Sequence, residues 1–450
     1  MADMVEKPNI LFVMCDQLRA DTIHALGAAG IHTPNIDRLV ARGVSFTNAY
    51  STTPVCVAAR YTIRTGREAP TTRVFTNVAV APVAGQPEAM EDRCGAYLAR
   101  TMAQRGYRTF GIGKFHSTPR YEDLGYDTHL HTEEVCPPRG DGRDAYYQYI
   151  RQRHPEYDHV EQPHGERTEM YYMPQTNPLP AELNCEAFVA DRAVDQLADE
   201  RDDGRPYFGF VSFIGPHPPL APPIPFNRLY HPDRMPAPIR GDLAVDHADE
   251  KIPWMNRMIW ADEPDDLRIG CCRARYYGEI TYIDWCLGRI LDAVEARDDA
   301  EETLIAFFSD HGDGLGDHHV WQKENFFEQS SRVPLLVSWP ARLPADRRCD
   351  ELACLTDLFA LATAASGEVE TRDGHDQLAM LTGAGPPRDR IVGWHGEPGT
   401  PSLTMMVRRG PWKYIHIANG GREQLFNLAE DPRELNELSR AMPRITEELR

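Results

Sequence analysis

Two aspartates, three histidines, two lysines and a cysteine-arginine pair stand where they could share chemistry. Asp16, with Gln17 beside it, closes the apolar run "NILFVMCD"; Lys114 and His116 close "RTFGIGKFH"; His217 closes "YFGFVSFIGPH"; and Asp310 with His311 lies at the end of the run in "TLIAFFSDHGD". Two carboxylates and an imidazole, joined by the Gln17 amide, form an oxygen-rich donor set suited to Ca²⁺, Mg²⁺ or Mn²⁺. Zinc normally recruits more His or Cys. Lys114, Arg60 and Lys323 in "VWQKENFF" could neutralise an anion, and His116 and His217 could move protons. This is equipment for attack on a phosphorus or sulfur oxyanion ester. Cys56, in "PVCVAARYTIRTG", stands four residues before Arg60 at the head of a helical pattern. By itself it reads as packing, because free cysteine behaves as a small buried hydrophobe.

Such groups meet only if the elements carrying them are neighbours. The runs above, with "VPLLVSWP", are short and apolar, as strands covered on both faces should be, and helical patterns alternate with them. That alternation predicts an α/β fold with a large, mainly parallel sheet between helices. In "TPNIDRLVARG" Thr33 is the expected N-cap, Pro34 sits in the first turn and Gly43 stops the helix. In "CRARYYGEITYIDWCLGRILDAVEAR" the residues Tyr276, Ile280, Ile283, Leu287, Ile290 and Val294 share one face. Ligands of open parallel sheets bind outside the carboxyl ends of the strands, so four strand ends deliver ionisable groups to one rim.

Two segments break the alternation. Residues 136–180 and about 218–268 are rich in Pro, Tyr, Arg and His and read as long loops that either pack locally or touch substrate. After about residue 385 come "RIVGWHGE", "LTMMVRRG", "WKYIHIA" and "EQLFNL", then a helix expected from Pro432. The reading is therefore a catalytic domain over 1–385 and a small antiparallel subdomain over 386–450.

Composition narrows the function classes. The 450 residues carry 68 acidic and 48 basic side chains, a net charge of −20, which argues against a nucleic-acid surface and makes any anion site local. "MADMVEKPNI" has neither a basic segment nor a long apolar run, and "NILFVMCD" is too short for a signal peptide or a membrane span, so the expectation is a cytoplasmic chain. Ten cysteines at irregular positions form no C-x-x-C or zinc spacing, so neither a disulfide framework nor a zinc finger is expected.

The order "NILFVMCDQLRADT", "HTPNIDRLVARGVSFTNAYSTTPVCVAAR", "GYRTFGIGKFH", "FVSFIGPHPPLAPP", "FSDHGDGLGDHHVWQKENFFEQSSRVPLLV" and "VRRGPWKYIHI" with "EQLFNLAEDPRELNEL" resembles the formylglycine-dependent sulfatases of the alkaline phosphatase-like superfamily. The resemblance runs from near residue 9 to near residue 438. It implies that Cys56 is oxidised after translation to formylglycine, whose hydrate supplies the nucleophilic oxygen. It further implies that Asp16, Gln17, Asp310, His311 and modified Cys56 hold one divalent metal, Ca²⁺ first and Mn²⁺ or Mg²⁺ as alternatives. Arg60 and Lys114 would support the nucleophile, His217 with Lys323 would serve the departing alcohol, and His116 would deprotonate the remaining hydroxyl so that sulfate leaves.

Ala58 and Ala59 stand where the commonest signature has proline and serine, a pattern similar to that accepted by anaerobic, radical-using maturation enzymes. Gln17 and His311 replace a second aspartate and an asparagine, as in choline sulfatases and phosphonate monoester hydrolases. The leading expectation is a sulfuric ester hydrolase acting on a small-molecule or saccharide sulfate, with tyrosines of the 136–180 insert as stacking surfaces. A phosphonate monoester or phosphodiester hydrolase is the rival, and a non-catalytic binding protein follows if Cys56 is never converted. A homo-oligomer stays open.

Overall fold

The computed structural model describes residues 7–77, 89–135, 142–167, 171–198 and 204–450. Twelve strands occur among them: β1 (Asn9–Asp16), β2 (Val44–Tyr50), β3 (Arg108–Gly113), β4 (Thr128–His131), β5 (Tyr207–Pro216), β6 (Thr303–Ser309), β7 (Leu335–Ser338), β8 (Arg347–Cys354), β9 (Arg390–His395), β10 (Thr404–Arg409), β11 (Trp412–Ile417) and β12 (Arg422–Asn427). The first eight form one sheet in the order β4-β3-β5-β1-β6-β7-β2-β8, and the last four form an antiparallel sheet in the order β12-β11-β10-β9. Within the large sheet β7 pairs antiparallel with both β6 and β2, and the other pairings are parallel.

The central strand β1 shows why the runs are continuously apolar. Leu11, Val13 and Cys15 point into one core with the helices Pro34–Arg42, Cys185–Leu197 and Asp266–Glu295, whereas Ile10, Phe12 and Met14 point into a second core with Cys56–Thr65, Leu98–Gln104 and Asp357–Ala365. Alternation across a strand sends successive residues to opposite faces, so both must be apolar. The six residues expected on one face of the long helix are all buried. That helix begins six residues before the quoted pattern, where the Asp265 carboxylate accepts from the Arg268 N–H at 2.8 Å as an N-cap. Thr33 caps the helix Pro34–Arg42 by position but donates its hydroxyl to Asp37 at 3.1 Å.

Three strands escape the apolar-run criterion. β4 is four residues long and lies at one sheet edge, and β8, at the other, exposes Arg347, Arg348 and Asp350. β2 mixes polar residues into "VSFTNAY". Edge strands are short or charged because one side meets solvent, which removes the continuous apolar signal. The two expected long loops contain helices, Ala145–Arg153 in the first, and Leu243–Asp246 and Lys251–Ile259 in the second. Residues 136–141 and 168–170 of the first lie outside the described residues, as do 1–6. Its Tyr146 and Tyr172 are fully buried and form core, so neither is a stacking surface.

The last helix starts at Pro443, eleven residues later than expected. Glu434 takes a left-handed backbone (φ 55°), and its buried carboxylate pairs with Lys413, so this stretch is drawn into the core instead of coiling. Lys413, also fully buried, donates to the Phe326 carbonyl at 2.6 Å and to Glu328 at 2.9 Å. It thereby ties β11 to the segment after Lys323. Removing one partner of a buried ion pair strands the other charge, so Lys413→Ala is expected to lower stability by about 3–5 kcal/mol in urea denaturation. A loss under about 1 kcal/mol would mean that water replaces the ammonium.

Candidate active site

The carboxyl ends of β1, β3, β5 and β6 meet at one rim, and the residues that follow them make the site. β1 lies between β5 and β6, with Asp16 beside Pro216 and Cys15 beside Ser309. Gly113 ends β3 at φ 108°, where an added Cβ would lie 1.9 Å from the Ser212 carbonyl oxygen. Only glycine permits that approach, and it turns the chain so that Lys114 enters the rim fully buried.

Asp16, Cys56, Asp310 and His311 present one ligand atom each, all within 4.8 Å of one another and all fully buried. Cys56 Sγ lies 3.1 Å from His311 Nε2 and 3.6 Å from Asp16 Oδ1. Cys56 is the first residue of its helix, so the free N–H groups and dipole of that end favour an anion beside it. One helical turn on, Arg60 shares its face. Its Nε donates to Asp310 Oδ2 at 3.0 Å, and its other nitrogens reach Asp16 Oδ2 at 2.8 Å and Ser212 Oγ at 3.1 Å. Lys114 Nζ lies 2.6 Å from the same Asp16 oxygen.

These pairings set the protonation states. Burial opposes charge on Asp16, but Lys114, His217 and Arg60 overcome it and hold the carboxyl well below the usual range. Burial and the Asp16 charge push Asp310 up instead. Burial, then Asp16, pushes the Cys56 thiol up to about 12, so the unmodified side chain is a neutral thiol. Two buried carboxylates, an imidazole and a position-56 donor suit an oxygen-preferring divalent ion, and the mutual repulsion that raises Asp310 is what such an ion relieves.

The remaining expected residues surround this cluster. The Gln17 backbone (φ 68°) donates to Asp310 Oδ1 at 3.1 Å, while its side-chain Oε1 accepts from Lys323 Nζ at 2.5 Å and its Nε2 donates to Asp313 at 2.5 Å and to Tyr172 at 2.9 Å. The Gln17 amide is thus engaged with Lys323. His217 Nδ1 donates to the Pro218 carbonyl at 2.6 Å, and its Nε2 lies 3.0 Å from the Tyr171 hydroxyl and 3.4 Å from Glu134. The His116 N–H donates to Glu133 at 2.7 Å, and its buried Nδ1 has no hydrogen-bond partner among the described residues. Burial and Lys114 push His116 down to about 4, so its ring is neutral and able to accept a proton.

Sequence reasoning missed Glu134, Arg167, Asp313 and Asn77, and took Tyr171 only as one of the insert tyrosines, whereas it lies beside His217. The strand-end rule would have found Glu134 had β4 been read as a strand, since it follows its end. Asn77 Oδ1 accepts from the Val57 N–H at 3.0 Å, at the head of the Cys56 helix. Only tertiary packing reveals that contact.

The sulfatase family model matches residues 8–367. The chain belongs to the sulfatase family. This sulfatase is 30% identical to a choline-sulfatase of Rhizobium meliloti (strain 1021) over 456 residues, 96% of this chain and 82% of the relative. It is 28% identical to an arylsulfatase of Clostridium perfringens (strain 13 / Type A), covering 96% and 90% of the two chains. Among solved structures it is similar to the phosphonate monoester hydrolase of Agrobacterium radiobacter, with a TM-score of 0.81, 26% identity and coverage of 98% and 94%. The sulfatase is an enzyme that hydrolyses sulfate esters, on an alkaline phosphatase-like fold. Among its described residues no helix is long and apolar enough to cross a membrane.

Proposed function

We propose that this enzyme cleaves a small-molecule or saccharide sulfate monoester, using formylglycine formed from Cys56 and one divalent ion, Ca²⁺ in preference to Mn²⁺ or Mg²⁺. The observation that carries this is the convergence of Cys56, at a helix head, with Asp16, Asp310 and His311 inside a shell of Arg60, Lys114, Lys323 and His217. Asp16, Asp310, His311 and position 56 would hold the ion, with the Gln17 amide as a further oxygen donor once it releases Lys323. When bound, the ion supplies Lewis-acid polarisation of a sulfate oxygen, and the modified side chain supplies an oxygen nucleophile.

The residues of the chain do the rest. Lys114, Lys323 and Arg60 balance the sulfate charge. His217, once protonated at Nε2, gives that proton to the departing alcohol oxygen, with its ring held by the Nδ1 bond to Pro218. His116 Nδ1 accepts the proton whose removal lets sulfate leave. Ala58 and Ala59 fit maturation by a radical-using enzyme. Peptide mass spectrometry at residue 56 of protein from its native host tests the modification: an aldehyde supports it, and an intact cysteine in active enzyme refutes it.

His217→Ala is expected to slow esters of basic alcohols about 10²–10⁴-fold and esters of acidic phenols far less, since only the former need a proton in the transition state. Equal losses across the series would transfer the role to Lys323. A phosphonate monoester hydrolase is the second reading, favoured by the similarity in fold to the Agrobacterium radiobacter enzyme. Rates on matched sulfate and phosphonate esters separate the two, and a higher kcat/KM on the phosphonate would establish the second.

A further inference from the structure

Glu134 is 7% exposed and takes no part in the chemistry so far described. It nevertheless joins two cations and the His217 imidazole. Its Oε2 pairs with Lys114 Nζ and lies 3.4 Å from His217 Nε2, while its Oε1 accepts from Arg167 at 2.9 Å. Because Nδ1 of His217 donates to a carbonyl, which can only accept, Nδ1 carries a proton in every state of the ring. Gain or loss of a proton therefore occurs at Nε2, the atom that faces Glu134 and the Tyr171 hydroxyl.

A buried imidazole resists protonation, and the groups facing this one divide. Burial first, then Lys323 and Lys114, favours the neutral ring and holds His217 well below the usual imidazole range; Glu134 and Asp16 favour the cation, Glu134 more strongly, and offset only part of that shift. Asp16 is already engaged by Arg60 and Lys114. A proton donor in this position thus depends on the second carboxylate. Arg167, whose guanidinium also lies 4.9 Å from the centre of the Tyr171 ring, balances part of the Glu134 charge from the insert side.

We propose that Glu134 is a positioning residue that makes protonation of His217 at Nε2 easier and keeps that nitrogen aimed at the leaving oxygen, with Arg167 setting how much of the Glu134 charge reaches the ring. This rests on the reading of His217 as the leaving-group acid. Without Glu134, His217 loses its proton at lower pH, so activity that needs the protonated ring falls away earlier as pH rises.

The test is kcat against pH for the metal-loaded, matured enzyme and for Glu134→Gln and Arg167→Gln, each with an ester of a basic alcohol and one of an acidic phenol. Glu134→Gln is expected to move the descending limb down by about one to two pH units with the basic alcohol, the usual effect of an opposite charge at this range. Arg167→Gln removes an opposing cation and should move the same limb up, by about half a unit. Arg167 is partly exposed, so its variant serves even if Glu134→Gln fails to fold. Adding Glu134→Gln to His217→Ala should leave no further shift of the descending limb, because the ring whose protonation the carboxylate eases is gone, while any loss through the Glu134–Lys114 pair lowers kcat at every pH alike. Limbs that stay still, or that shift the same way in both variants, overturn the proposal. A steep leaving-group series in His217→Ala with an unmoved Glu134→Gln limb overturns the Glu134 role alone. A flat series with no limb shift removes the acid assignment beneath it.

Discussion

Cys56→Ser is expected to fold and bind metal yet lose multiple turnover by about 10³-fold or more, a loss typical of removing a nucleophile. The serine oxygen would occupy the head of the helix Cys56–Thr65, where Cys56 Sγ now lies 3.6 Å from Asp16 Oδ1 and 3.1 Å from His311 Nε2, so an oxygen donor remains available to the ion. A serine hydroxyl can still attack sulfur. The resulting sulfate ester has no second hydroxyl on the same carbon, so the proton that His116 Nδ1 is placed to take does not exist, and release must await external water. Incubation with substrate should therefore leave a sulfated peptide containing residue 56, seen as a mass increase that persists after substrate is removed. Cys56→Ala should give neither turnover nor that adduct. If both variants turn over repeatedly at the rate of the matured, unsubstituted enzyme, the nucleophile lies elsewhere and the formylglycine reading falls.

Asp310→Ala is expected to empty the metal site and reduce kcat/KM by about 10³-fold or more, equivalent to about 4 kcal/mol of transition-state stabilisation. The carboxylate is fully buried and does several jobs together. Its Oδ1 accepts from the Gln17 N–H at 3.1 Å and the His311 N–H at 3.0 Å, and its Oδ2 accepts from Arg60 at 3.0 Å. Alanine removes a ligand oxygen, a negative charge and the group that orients the His311 backbone. Arg60 keeps Asp16 as a partner at 2.8 Å, and Asp310 already holds its charge against burial and Asp16, so the fold should survive. Elemental analysis of folded protein checks this directly: about one divalent ion per native chain should fall below a tenth in the variant. Full metal content in folded Asp310→Ala would remove Asp310 from the ligand set. Stoichiometric zinc in the native enzyme would refute the oxygen-donor reading.

Of the two residues, Asp310 stands out by its place at a strand end, whereas Cys56 alone reads as packing and takes its role from the family resemblance. β1, β3, β5, β6 and β7 each lie inside apolar runs read from sequence, because a strand covered on both faces has no choice but continuous apolarity. Asp16, Lys114, His217 and Asp310 end those runs or directly follow the strands, and the carboxyl-end rule is a consequence of topology that any parallel sheet obeys. Cys56 and Arg60 share a helix face through spacing alone. Such features depend on neighbours a few residues away, so local pattern suffices to state them.

What the chain alone leaves open depends on groups distant in sequence and close in space. The reversal of β7 between β6 and β2 follows from pairing between strands, which no single run encodes. Glu134 looks like an ordinary surface carboxylate in "THLHTEEV" until β4 is placed beside β3 and its side chain meets Lys114, Arg167 and His217. The Gln17 amide has the chemistry of a metal ligand, but its oxygen is held by Lys323, a residue 306 positions away. The end helix begins late because Glu434 is drawn to Lys413, a demand set by burial of that ammonium and not by helix propensity. Residue type and spacing therefore determined the reactive groups and the strand ends that carry them. Tertiary packing alone decided which charges neutralise one another, because that depends on distance and desolvation.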